Sequence, residues 1–203
     1  MKECNTIKQS PLAGLAAYGG GSGSILFGRK GVDGYTIERS LRFNSGDSAY
    51  LNKTFSSAGT RTTWTWSCWV KRSSTGQQFL FQGGNTDFND DAIIFDTSDR
   101  LSLSIHNGSN ALVAKLTSSM VFRDFAAWYN IQVVFDTTNS TADDRIRFYV
   151  NGSQLTDFDT RTNPSLNLVS HDINDAAPHT IGAFRESQHF FNCLLYTSPS
   201  PRD

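Results

Sequence analysis

Residues 101–106, LSLSIH, switch between apolar and polar at every step. Successive side chains of an extended chain point to opposite faces, so Leu101, Leu103 and Ile105 share one side and Ser102, Ser104 and His106 the other. RIRFYVNG (145–152) repeats the pattern, with Ile146, Phe148 and Val150 together and Arg145, Arg147 and Tyr149 opposite. TWTWSCWVKR, YNIQVVFD and SLRFNSGDSAYL behave similarly. Short runs of this kind, separated by Gly, Asn, Asp and Ser, are half-buried antiparallel strands, and their spacing predicts an all-β sandwich or barrel. Asn151-Gly152 is the strongest hairpin signal, because both central residues of a type I′ turn need positive φ. Only FRDFAAWYN (122–130) hints at a helical turn.

At 203 residues the chain has room for one domain of ordinary size. A formal net charge of −1 supplies no field that would recruit nucleic acid or an anionic membrane. No apolar run reaches the roughly 18 residues of a membrane span, so no membrane insertion is expected. The apolar stretch near the start, LAGLAA, is too short for a secretory signal. Cys4, Cys68 and Cys193 have no metal-ligand spacing, and Cys68 reads as a small buried hydrophobe. GGGSGS (19–24) marks residues 1–34 as a flexible Gly-rich arm. Its GSILFGRK has Arg29 where a phosphate loop needs lysine, and no Ser or Thr follows, so it reads as a linker.

SLRF, WTWSCWVK, AWYNIQVVFD, RIRFYVNG, HTIGAF and HFFN, in that order, resemble the laminin-G-like jelly rolls of the concanavalin A-like lectin/glucanase superfamily. The resemblance spans residues 35–192, and its most specific parts are Trp69-Val70-Lys71, Val134-Phe135-Asp136 and Tyr149-Val150-Asn151-Gly152. It implies a two-sheet antiparallel jelly-roll sandwich. The Gly-rich arm followed by ERSLRFNSGDSAYLNKTF and RTTWTWSCWVKR is similar to proteins encoded by tailed phages. That likeness implies a virion or tail component made in the host cytoplasm, with other virion subunits as partners. In such domains FFN continues with Gly and an apolar strand that pairs with the first strand. Here Asn192 is followed by CLLYTSPSPRD (193–203), which reads as translated sequencing adapter. The expectation is therefore a sandwich lacking its C-terminal strand, with a non-native tail.

The superfamily includes glucanases, and glycoside hydrolysis needs two carboxylates flanking one bond. This chain has three glutamates, Glu3, Glu38 and Glu186, none with a second acid along a strand, and Asp136 ends its strand alone. His106, His171, His179 and His189 are scattered, and His171-Asp172 reads as a polar loop rather than a dyad. Binding is the stronger reading. NTDFNDDA (85–92) offers Asp87, Asn89, Asp90 and Asp91, and HDINDAA (171–177) offers Asp172, Asn174 and Asp175. Such oxygen-rich loops suit a surface glycan or a Ca²⁺ ion, the latter at Asp90, Asp91 and Asp172. Asp and Asn in turns also serve local backbone hydrogen bonds, so a purely structural role for both loops stands beside the binding one. Trp64, Trp66 and Cys68 share a strand face with Val70, while Trp69 points away; of Trp128 and Tyr129, one belongs to the core. The chain thus reads as a non-catalytic carbohydrate-binding or adhesion module of a phage particle. The alternative is a structural virion decoration domain, with a glycoside hydrolase behind both.

Overall fold

The computed structural model describes residues 41–84, 91–184 and 189–196. The Gly-rich arm lies outside them. In chain order the strands are β1 (Leu41–Phe43), β2 (Leu51–Thr54), β3 (Thr63–Arg72), β4 (Gln78–Gly83), β5 (Ala92–Phe95), β6 (Arg100–His106) and β7 (Leu112–Val121). They continue with β8 (Tyr129–Asp136), β9 (Ile146–Val150), β10 (Ser153–Gln154), β11 (Phe158–Thr162), β12 (Pro178–Ile181) and β13 (Cys193–Tyr196). One sheet has the order β1-β13-β3-β8-β9-β10 and the other β11-β7-β6-β5-β4-β12-β2. Every pairing is antiparallel. The expected all-β, two-sheet sandwich is present, consistent with a jelly roll.

The period-two runs of β6, β8 and β9 bury the faces their sequence assigns, whereas SLRFNSGDSAYL is broken after Phe43 by a 3-10 turn at Ser45–Asp47. Leu101, Leu103 and Ile105 are buried on β6, Ile131, Val133 and Phe135 on β8, and Ile146, Phe148 and Val150 on β9. Burying each such side chain stabilises by about 1.5–3 kcal/mol before conformational entropy is set against it. Trp64 stacks on Phe135 with ring centroids 4.9 Å apart, across the β3–β8 pair that puts them in register. Ser102 departs from the simple pattern. It is buried on the far face of β6, where its hydroxyl lies 2.9 Å from that of Thr117 on β7. Asn151 and Gly152 have φ of 51° and 81°, so the β9–β10 hairpin takes the type I′ turn the dipeptide predicts.

Two expectations need correction. FRDFAAWYN holds no helical turn; the chain leaves β7 and bends into β8. The slot for a C-terminal strand is not empty, because β13 occupies it, pairing with β1 through Phe43↔Cys193 and with β3 through Val70↔Leu195. The demand at this slot comes from backbone N–H and C=O groups, which any extended segment of the right length satisfies. Four residues directly after Asn192 have that reach.

The end of the sandwich near Arg72 is closed by a feature no sequence pattern announced. Arg72, 1% exposed, donates to Phe122 O at 2.7 Å, Gly76 O at 3.0 Å, Gln78 Oε1 at 3.1 Å and Asp99 Oδ1 at 2.9 Å. Its guanidinium also sits 4.4 Å from the Phe95 ring centroid. Asp99 in turn accepts from Arg123 Nε at 2.8 Å and from Gly76 N at 2.7 Å. Burial alone would raise the Asp99 carboxyl, but the bonds from Arg123, Gly76 and Arg72 outweigh it and hold the group below its ordinary value. No helix among the described residues is long and apolar enough to cross a membrane.

Candidate binding site at the loop rim

The opposite end of the sandwich carries Asp91 and the acidic 171–177 loop. Asp91 enters β5, and residues 171–177 lead into β12, two strands away across β4. The strand order therefore brings together segments 81 residues apart in sequence. Asp91 Oδ2 accepts from Asp172 N at 2.9 Å and Ile173 N at 3.4 Å, while its Oδ1 accepts from His106 N at 2.8 Å. Asp172 Oδ2 accepts in return from Asp91 N at 3.4 Å. Gly83 and Gly84 permit this approach. A Cβ at Gly83 would stand 2.7 Å from the Asp172 carbonyl carbon, and one at Gly84, whose φ is +85°, 2.8 Å from Asp172 Cγ.

A second seam holds the 171–177 loop from the other sheet's side. Arg61 donates to Ser170 O at 2.8 Å and His171 O at 2.6 Å, and pairs with Asp175 at 3.2 Å. Asn174 donates its side-chain amide to Thr60 O at 3.0 Å, and Gly59 N donates to Asn174 O at 2.8 Å. Asn174 N donates to His179 Nε2 at 3.0 Å, which fixes the tautomer: Nδ1 carries the proton and donates to Ala177 O at 2.9 Å.

Electrostatics follow from these contacts. Burial pushes the Asp91 carboxyl up to about 6 against the lowering pull of the Asp172 and His106 amides, and the neighbouring Asp172 charge adds to the rise. His179 is held below its ordinary value by burial. His171 Nδ1 lies 3.0 Å from Asp172 Oδ1, with the imidazole partly exposed. The pair has the contact of a dyad, yet no described hydroxyl bonds to that ring.

Of the sequence candidates, Asp91, Asp172, Asn174 and Asp175 meet at this rim. Asp87, Asn89 and Asp90 lie outside the described residues. Arg61 and His171 join the cluster. Arg61 left no sequence signal, since its partners are some 110 residues away. The described residues do not fit calcium at Asp91. Calcium needs oxygen lone pairs turned toward it, and both Asp91 oxygens face backbone N–H groups. Among the described residues no three His, Cys, Asp or Glu side chains form a metal-holding group.

Comparison with known proteins agrees with the geometry at the level of fold. A family model described as the concanavalin A-like lectin/glucanases superfamily, of laminin-G type, matches residues 43–195. No curated protein matches the chain. Among solved structures, domains LG4-5 of the mouse laminin alpha1 chain are similar, at 16% identity and a TM-score of 0.51 over 77% of this chain and 40% of that one. A CBM40 of a Ruminococcus gnavus sialidase, bound to alpha2,3 sialyllactose, aligns at 12% identity and TM-score 0.46, over 76% of this chain and 94% of that one. Tailspike protein 2 of an Escherichia coli O157:H7 bacteriophage aligns at 10% identity and TM-score 0.46, over 79% of this chain and 23% of that one. The aligned part of the chain thus spans 40% of the laminin structure's length and 23% of the tailspike's. With the model match covering most of its residues, the chain belongs to the concanavalin A-like lectin/glucanases superfamily as a laminin-G-type domain.

Proposed function

We propose that the protein is a non-catalytic carbohydrate-binding or adhesion module, carried as a tail or surface component of a phage particle. The observation that carries the binding reading is that the 171–177 loop is bonded to Asp91 at one rim of a lectin-superfamily sandwich. There His171, Asp172, Asn174 and Asp175 supply polar groups for a surface glycan, and Asp87, Asn89 and Asp90, which lie outside the described residues, are further candidates from the sequence just before Asp91. Asp91 belongs to the scaffold that holds the loops together, since its oxygens are already engaged. The phage assignment is supported by the resemblance of the arm and of ERSLRFNSGDSAYLNKTF to tailed-phage proteins; other virion subunits are then its neighbours.

A second reading, a decoration domain with no glycan ligand, is favoured by the internal hydrogen bonding of Asp91 and Asn174. A glycan array probed in calcium and in EDTA separates the two. Retention of a host-surface glycan supports the binding module, and EDTA reports whether calcium takes part. A blank array on folded protein leaves the structural role.

A further inference from the structure

We propose that the outer face of the six-stranded sheet is a second glycan site, which binds an acidic polysaccharide chain. Its sugar rings stack on Trp69 and Trp128, and its acid groups pair with Lys71 and Arg147. The proposal rests on the carbohydrate-binding reading above and places the ligand on a surface remote in character from the acidic rim.

Strand parity puts these side chains on one face. Along β3, Trp64, Cys68, Val70 and Arg72 are buried, so Trp69 and Lys71 point outward, and Trp69 is 37% exposed. Trp69 stands opposite Asn130 on β8, and Gln132 stands opposite Ser67. Trp128 immediately precedes β8 and is 39% exposed between Ala127 and Tyr129, which pack toward the core, so parity carried one residue beyond the β3–β8 pairing assigns it to the same side as Asn130 and Trp69. Neighbouring exposed rings form a contiguous apolar surface, the kind that marks an interaction site more than a singly exposed side chain does.

Between and beyond the rings run polar groups with open valences. The side chains of Lys71, Asn130, Gln132 and Arg147 make no hydrogen bond or ion pair with the described residues. Arg147 stands opposite Val134, and its Nε is buried without a partner. That Nε is closed to solvent, so the terminal guanidinium nitrogens of this half-buried residue are the atoms that would meet a ligand acid group. Asp136, at the end of β8, is engaged by the amide and hydroxyl of Thr138. The chain as a whole has a net charge of −1, so the Lys71 and Arg147 charges are a local feature rather than a general excess.

Geometry and chemistry select the occupant. From Lys71 to Arg147 the face runs six residues along the strands and two strands across, roughly 20 Å by roughly 10 Å. That length takes an oligosaccharide rather than a single sugar. Aromatic faces accept the C–H surface of pyranose rings, amides bond hydroxyls, and Arg matches a carboxylate through paired N–H donors. A protein partner fits less well, because Lys and Ser are depleted at protein interfaces and this face presents Lys71 and Ser67.

The test measures binding of polygalacturonate and alginate, with dextran as the neutral control. It compares the full chain with Trp69→Ala, Trp128→Ala and the Lys71→Gln/Arg147→Gln double variant. Unfolding midpoints confirm that each variant is folded. The proposal expects binding to a uronate polymer and not to dextran. Either tryptophan variant should weaken it at least ten-fold, and the double variant should flatten its salt dependence. Uronate binding that survives all three variants overturns the proposal and leaves the carbohydrate reading standing. So does failure to bind either polymer while the array finds another glycan. Absence of any glycan binding removes both. Retention of duplex DNA that is lost in Trp69→Ala overturns the proposal by giving the face a different partner.

Discussion

Asp91 and His179 flank the same loop and titrate with opposite consequences for stability. The Asp91 carboxyl rises from its ordinary 3.8 to about 6, so the folded state holds that proton more tightly than the unfolded chain. Its contribution is fully present below pH 3.8 and is lost as pH rises through 6, about 3 kcal/mol for a shift of this size. His179 is depressed below 6.5, so its contribution is present above pH 6.5 and falls away as the solution is acidified and Nε2 can no longer accept from Asn174 N. Below pH 6.5 the two act in opposite directions on acidification, Asp91 adding stability and His179 removing it. On acidification from pH 6.5 the melting temperature should fall more steeply in Asp91→Asn than in the wild type, because only the His179 slope remains. Parallel slopes for the two proteins would contradict this assignment. At the other end of the sandwich, Arg72→Leu leaves Asp99 buried with only Arg123 and the Gly76 amide to balance it. Removing one member of a buried ion pair costs about 3–5 kcal/mol. The urea midpoint should shift accordingly, and a loss under 1 kcal/mol would show that Arg72 acts as a surface residue does.

At the scale of elements, strands were legible where alternation was strict and turns where a dipeptide demanded positive φ. β6, β8 and β9 bury the residues their alternation assigns, and Asn151-Gly152 takes its turn. FRDFAAWYN misled because Phe122 and Tyr129 are apolar for tertiary reasons: they pack edge to face, 5.1 Å apart. β13 left no such mark, because CLLY neither alternates nor carries a turn dipeptide and is held by backbone pairing to β1 and β3. That CLLYTSPSPRD derives from adapter is a separate proposal, tested by reading the source DNA through the codon for Asn192. Whatever its origin, Cys193–Tyr196 lies between β1 and β3 and pairs with both. A chain ending at Asn192 should therefore aggregate or melt at a lower temperature than the full chain, because β1 and the neighbouring edge of β3 lose their partners. Equal melting of the two would show that β13 contributes nothing.

For the molecule as a whole, the fold was more legible than the site. Alternation and turn chemistry act locally and leave their mark in contiguous residues. The rim is made by strand order, which joins Asp91 to Asp172 and Arg61 to Asp175, and no local pattern encodes such pairings. The loops were recognisable as acidic, but composition could not tell that Asp91 faces inward to backbone amides while His171 is partly exposed. Likewise, strand parity gave Trp69 its outward direction, whereas its diagonal relation to Trp128 needed the β3–β8 register. The central claim is that this sandwich holds a glycan without cutting it. Equilibrium binding to a panel of bacterial surface polysaccharides, followed by sizing of the recovered polymer and assay of reducing ends, tests it most directly. The account expects at least one polysaccharide to be retained and recovered at its original length. Release of reducing ends would contradict the non-catalytic reading, and no retention by the folded protein would contradict binding itself.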